Sequence, residues 1–467
     1  MPGFIEYQIT LMNSNNKVFI FVLSVTSAYF GLSYFSKNIV EYYPSFKNVD
    51  LFTDIQSDKI VNLNNQKKKK NQNSLIDSIQ KQDSTFTVFE SYNGTNITDF
   101  DADNNNFVFE NLSKKLAELY QNKKAKIRIA WFGDSQIEGD LMTQDIREML
   151  QEYFNKKKGV GFVPINSISS DFRRTATSKT SGIFETFNFK QNPEKNVFLS
   201  GYSFFSPDLD ITLRNRIKKD STQILEKWLL FGKGNDISIT HNGVETNYHA
   251  NEAFNRVLLD KSTSNGIHFK AKFSNTPIYG VSFEPENGIV LDNFSFRGIT
   301  GVELDKISTE LLQKLNQENY YDLIVFQYGV NLMFRPNDVN YDYYYQKMTP
   351  LIKKFKKEMP KTDFLIFSCS DRAFKYNNEW KSAIGIDSLI KTQARLSYDN
   401  KIPFYNLFLS MGGKGIMKKW VDTIPTMASK DYIHFNSRGS KVVAKTIFKS
   451  IQKEFDKVKN KKQKNKN

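Results

Sequence analysis

The sequence predicts an α/β protein, in which a doubly wound parallel sheet between helices is interrupted by a β-rich insert and preceded by an apolar N-terminal segment. Three observations predict it. Short, buried-type strands alternate with amphipathic helices from about residue 111 onward, which is the rhythm of βα units. That rhythm stops between about residues 175 and 293, where alternating runs such as VFLSGYSFFS, DISITHNG and GIHFKAKFS are separated by Asn, Gly, Pro and Asp. It then resumes, so the insert interrupts one domain, and its many short strands predict a sandwich-like module.

Taken in order, the run from Val18 to Phe35 carries no charge and is bounded by Lys17 and Lys37. At about 1.5 Å per residue it nearly spans a bilayer core of about 30 Å, so residues 1–37 are expected to form a transmembrane anchor. A cleaved signal peptide and a buried amphipathic helix are the competing readings. Because the two lysines nearly balance, the positive-inside rule barely orients the segment. Residues 38–105, including NLNNQKKKKNQN, have no sustained apolar period and read as a solvated tether. The first part of the α/β domain follows over 106–174: a helix over Asn111–Gln121, a buried strand over Lys126–Phe132, a Gly-Asp-Ser turn and a helix over Leu141–Tyr153. The second part, over 294–455, holds helices near Glu303–Leu315, Tyr344–Lys357, Ala383–Leu396 and Ser437–Phe455. Its strands are expected at Asp322–Phe326, Asp363–Phe367 and Pro403–Leu407. A basic tail, 456–467, closes the chain.

The formal charge of +15 invites a nucleic-acid reading, since clustered lysines release counterions from phosphate backbones. Its distribution argues otherwise. Lys67–Lys70 and the tail from Lys453 onward hold nine of those net charges, in segments that read as solvated, and no interleaving of aromatic and basic residues marks a platform. The single cysteine, Cys369, rules out an intrachain disulfide; it follows the apolar run Phe364–Phe367 and reads as a strand-end thiol.

Ser135, in WFGDSQIEGD, stands at a strand-to-helix turn, the carboxyl edge where α/β folds place ligands and where a helix dipole favours negative charge. A plain capped turn has the same signature. A serine nucleophile needs a base; of the four histidines, His241, His249 and His268 lie in the insert, leaving His434 in KDYIHFNSRG. Asp431, three residues earlier, is placed to orient its imidazole, although a surface histidine capping the last helix would look alike. Acyl transfer further requires donors for an oxyanion. Gly301 in FRGITGVE and Asn331 in QYGVN stand at corresponding turns, where ordinary turn residues are also common. Tyr202, Phe204, Phe205 and Trp228 alternate in the insert as core aromatics do, and MGGKG (411–415) lacks the phosphate-binding spacing.

Together these four segments resemble the four blocks of the SGNH, or GDSL-like, hydrolases, in order and at the corresponding strand ends. The resemblance implies a flavodoxin-like three-layer SGNH fold over about residues 125–170 and 294–455. It also implies roles: Ser135 as nucleophile and first oxyanion amide, Gly301 as second amide, Asn331 as side-chain donor, His434 as general base and then acid, and Asp431 as its orienter. Gln136 departs from the Leu common after the serine, and Leu332 from the Asp often found after the asparagine; these departures bear on the subfamily. The spacing of 166 residues from Ser135 to Gly301 locates the insert between the first two blocks. That arrangement is similar to bacterial peptidoglycan O-acetylesterases. The expected activity is therefore hydrolysis of acetyl esters on a cell-envelope carbohydrate, without cofactor or metal. The domain is expected outside the cytoplasm, in a bacterial periplasm, held by the anchor. Two alternatives stay open: a carbohydrate O-acetyltransferase using the same triad beside a membrane acyl donor, and an inactive carbohydrate-binding scaffold.

Overall fold

A six-stranded sheet carries the part of the chain that holds these motifs. The computed structural model describes residues 19–25, 27, 96–100, 108–121, 123–191 and 197–464, and contacts divide the chain between Phe86 and Thr87. In chain order the elements outside the insert begin with β1 (Ile97–Thr98), α1 (Glu110–Tyr120), β2 (Lys126–Gly133) and α2 (Thr143–Phe154). The insert supplies β3 (Gly161–Pro164), β4 (Ala176–Ser181), β5 (Glu185–Asn188), β6 (Tyr202–Asn215), β7 (Leu225–Phe231), β8 (Ile237–His241), β9 (Val244–Tyr248), β10 (Asn255–Ser262) and β11 (Gly266–Pro285). Then come β12 (Gly288–Ser295), α3 (Thr309–Gln317), β13 (Leu323–Gln327), α4 (Asp342–Glu358), β14 (Asp363–Phe367), β15 (Ala373–Tyr376) and β16 (Glu379–Ser382). The chain continues through α5 (Ile386–Asp399), β17 (Phe404–Tyr405), α6 (Leu407–Met411), α7 (Ile416–Asp422) and α8 (Ser437–Lys464).

The sheet order is β1-β17-β14-β13-β2-β12, parallel throughout except for β1. Setting β1 and the insert aside, the parallel strands follow the flavodoxin-like order 2-1-3-4-5, with its switch point between β2 and β13. In β2, KIRIAWFG, alternate residues face opposite sides, and all but Lys126 are buried. Ile127, Ile129 and Trp131 enter one core with Leu116 of α1, Ile146 and Leu150 of α2, and Val443 and Ile447 of α8. On the other face Phe132 packs against Phe294, Phe326 and Phe355. Here α4 lies against α3 and α5, giving three layers. Register aligns the carboxyl ends of the central strands: Gly133 is paired with Ser295 on one side and Gln327 on the other.

The nine strands of the insert are joined in one hydrogen-bonded antiparallel sheet, because β11 is 20 residues long. The first half of β11 pairs with β6 and β8, and after a register shift between Phe273 and Ile278 the second half pairs with β7 and β3. The borders move. Strand β3, expected within the first α/β segment, belongs to the insert's sheet, and Gly288–Ser295, expected mostly in the insert, is an α/β strand beside β2. Gly161 permits this exchange: its φ is +73°, and a Cβ there would stand 2.3 Å from Asp292 Oδ1, which instead accepts a 2.7 Å hydrogen bond from the Phe162 amide.

At the junction Arg128 of β2 and Glu284 of β11 form a buried ion pair. Burial alone would raise the Glu284 carboxyl, but Arg128, Lys126 and Arg256 outweigh it and hold the group well below the usual carboxylate range.

Residues 19–25 are helical, with Phe19 and Phe21 exposed; most of the rest of Val18–Phe35 lies outside the described residues. No helix among the described residues is long and apolar enough to cross a membrane. Most of the 38–105 tether also lies outside them, and Ile97–Thr98 at its end is a sheet strand. The last helix runs to Lys464, through most of the expected tail.

Candidate active site

The aligned strand ends place three loops side by side. After β2 the chain enters a 3₁₀ turn, Ser135–Asp140, whose first amides are capped by Asp134: its Oδ1 accepts from the Gln136 amide at 3.0 Å. Asp134 is only 1% exposed. Burial, partly offset by the Gln136 amide and the nearby His434, pushes its carboxyl up to about 7.

His434 comes from the loop between α7 and α8. Its Nε2 lies 2.7 Å from Ser135 Oγ, and its Nδ1 lies 2.8 Å from Asp431 Oδ2. The other Asp431 oxygen accepts from the amides of Ile433 and His434, at 2.9 and 3.0 Å. Burial opposes ionisation of Asp431, yet the hydrogen bonds from the His434 side chain and the two amides outweigh it and hold the pKa at about 2. An ionised carboxylate on Nδ1 fixes that nitrogen as the protonated one and leaves Nε2 free to accept from the serine.

Two contacts set the position of this loop. Gln136 Nε2 donates to the Ile433 carbonyl at 2.6 Å, so this residue ties the serine turn to the histidine loop. Tyr432 has φ +59°, unusual for a side chain of its size. Its ring stacks on Trp380 of β16 with centroids 3.8 Å apart, and its carbonyl accepts from the Ala373 amide at 3.0 Å. The β15–β16 hairpin that supplies both contacts had no signal in the sequence reading, which left the stretch between Cys369 and the helix near Ala383 unassigned.

Of the two turn residues expected as further oxyanion donors, Asn331 lines the cleft and Gly301 does not. Asn331, in the turn after β13, lines the cleft with Ser135 and His434; one amide hydrogen donates to the Ile299 carbonyl at 2.8 Å, and its second remains. Gly301 does not line the cleft: its amide donates to Glu303 Oε2 at 3.1 Å, and Tyr328 lies 2.6 Å from where its Cβ would stand. Gly298 lines the cleft instead. Its φ of +70° needs a glycine, and its amide makes no hydrogen bond among the described residues. It stands three residues beyond β12, close to where Ser135 stands beyond β2, and that parallel was the signal available in the sequence.

The cleft measures about 770 Å³, with Glu138, Phe172, Arg174, Lys190 and Arg297 on its walls. Arg297 is paired with Glu138. The other three histidines remain in the insert, His249 on Asp236 and His268 on Asp210. Among the described residues no group of three or more His, Cys, Asp or Glu gathers as metal ligands would. Cys369 is buried, which pushes its thiol up. Tyr202 and Phe204 are core residues, Trp228 lies under Arg256, and Gly412 and Gly413 do not border the cleft.

A 2-1-3-4-5 sheet with Ser, Gly, Asn and an Asp-x-x-His pair at its carboxyl edge is the arrangement that the resemblance to SGNH hydrolases implied. No family model matches the sequence, and no curated protein matches it. Among solved structures, a peptidoglycan O-acetylesterase shares the fold, with a TM-score of 0.63 at 20% identity over 77% of this chain and 99% of that one. A lipase/acylhydrolase from Enterococcus faecalis aligns at 16% identity over 35% of this chain and 76% of its own, with a TM-score of 0.25 that adds no weight. The resemblance seen in the motifs thus extends to the fold of the O-acetylesterase, insert included.

Proposed function

We propose that the protein is a serine esterase that removes short acyl groups, acetyl foremost, from a cell-envelope carbohydrate. The observation that carries this reading is the relay Asp431–His434–Ser135, with links of 2.8 and 2.7 Å at the edge of a cleft. His434 Nε2 takes the proton as Ser135 Oγ attacks the ester carbonyl, and the carboxylate of Asp431 stabilises the imidazolium that forms. The tetrahedral oxyanion is met by the amides of Ser135 and Gly298 and the second amide hydrogen of Asn331. Collapse returns the proton from His434 to the departing sugar oxygen and leaves an acyl-Ser135. Water, deprotonated by His434, then releases the acid. The apolar run at Val18–Phe35 supports a membrane anchor, and a cell-envelope substrate would require the domain outside the cytoplasm.

The test compares the protein with Ser135→Ala on nitrophenyl acetate and on O-acetylated peptidoglycan. Release of nitrophenol and acetate by the wild type alone is expected. Should the folded wild type be no faster than the variant on either ester, hydrolysis is ruled out; acetyl transfer to an added glycan would then mark the O-acetyltransferase alternative.

A further inference from the structure

A second cavity of about 570 Å³ adjoins the cleft and shares two wall residues with it, Lys190 and Arg297. Its other walls come mainly from the insert and the loop leading into it. Tyr202 and Phe296, stacked with centroids 5.0 Å apart, are among its apolar residues, and Asn166, Ser167, Thr186 and Gln191 supply amides and hydroxyls. This mixture of apolar surface with convergent neutral hydrogen-bonding groups suits the alternating faces and hydroxyls of a sugar ring. No carboxylate chemistry is built there: Asp171 is its one acidic wall residue.

Two further facts tie this space to the catalytic cleft. The turn 167–172 holds two of the large apolar side chains left exposed, Ile168 at 51% and Phe172 at 49%; Ile168 lines the second cavity and Phe172 the first. Coming from one turn, these two side chains give adjoining rims of the two cavities an apolar lip against which a sugar ring can pack. Lys190, common to both cavities, brings its Nζ to within 2.8 Å of where a Cβ of Gly298 would stand, so the two spaces meet beside the proposed oxyanion site. At about 770 Å³ the first cleft already lies inside the range of a small-ligand site, about 300–1,000 Å³, and an acylated sugar has no need of the second.

We propose that the second cavity is a subsite for the sugar unit next to the acylated one, so that the protein acts on esters carried within a glycan chain. This rests on the esterase reading for the acylated unit, while occupancy of the subsite is measurable without catalysis. Ile168→Trp, at an exposed position, and Thr186→Trp, on β5 where Trp suits a strand, place an indole in the cavity by two independent routes.

Binding is read first, by calorimetry on the full chain carrying Ser135→Ala, with N-acetylglucosamine and chitotriose as probes. Chitotriose is expected to bind at least about tenfold more tightly, as one added subsite with a few good contacts provides, and both tryptophan variants are expected to erase the difference. Equal affinities for the two probes, or an advantage for chitotriose that survives both variants, would overturn the proposal. With Ser135 restored, acetylated forms of the same sugars should show the same gain in kcat/KM. Loss of hydrolysis on every ester with the binding difference intact would sink the esterase reading and leave the subsite standing; hydrolysis of both sugars at equal kcat/KM would do the reverse.

Discussion

At the scale of single residues, the site works through a few groups whose surroundings fix their charge or direction. Asn331 has one amide hydrogen committed to Ile299 and one to offer. Asn331→Ala should therefore lower kcat by about 10² to 10³, the usual worth of an oxyanion donor, with little change in KM, which steady-state kinetics on nitrophenyl acetate would check. Asp134 behaves differently, because burial pushes its pKa up to about 7, well above the usual carboxylate range. The folded state then binds a proton that the unfolded chain has released, so this group's contribution to stability is present below about pH 4 and is lost as pH rises towards 7. The melting temperature of the wild type should fall from pH 5 to pH 8 more steeply than that of Asp134→Asn; equal slopes would show that Asp134 is ionised throughout.

At the scale of elements, the histidine loop is held from outside by a hairpin. Tyr432 keeps its φ of +59° between Asp431 and His434, a conformation that costs of the order of 1 kcal/mol unless the surroundings enforce it. Trp380 covers its ring, and the Ala373 amide holds its carbonyl. Trp380→Ala should cut kcat several-fold while KM and the melting temperature move little, because the loop would sample orientations in which Nε2 misses Ser135; Trp380→Phe should recover most of the rate. Four strands of the main sheet, β2, β13, β14 and β17, were legible because they are short apolar runs beside turn residues, whereas β1 and β12 were not. The hairpin was not: AFKYNNEWKS is short and polar, and its pairing depends on Trp380 finding Tyr432 some fifty residues later. Gly298 went unnamed for a related reason: it shares a loop with Gly301, and only the bond from the Gly301 amide to Glu303 tells the two apart.

At the scale of the whole molecule, insert and α/β domain are locked by buried charge. Arg128 is 5% exposed and Glu284 fully buried, and Tyr320 lies 4.3 Å from the Arg128 guanidinium. Removing one partner of a buried pair typically costs about 3–5 kcal/mol, and because Lys126 and Arg256 stay beside Glu284 the lower end of that range applies here. Arg128→Met should lower stability by about that much in denaturant titrations. If the insert and the α/β domain are one cooperative unit, their loss should remain a single transition; two separated transitions would show that the insert folds on its own.

What the sequence by itself determined is the order and period of most elements and the candidates for nucleophile, base and orienting carboxylate. Apolar runs and turn residues are local properties, and a chain with one histidine outside its insert leaves one candidate base. Only the tertiary structure decided which groups meet. Strand register brings Gly133, Ser295 and Gln327 level, so that Ser135, Gly298 and Asn331 reach one cleft from positions as much as 196 residues apart. It likewise decided that the insert is one sheet around β11, since a register shift inside a 20-residue strand follows from which neighbours pair with it, and pairing between distant segments leaves no periodic trace in either.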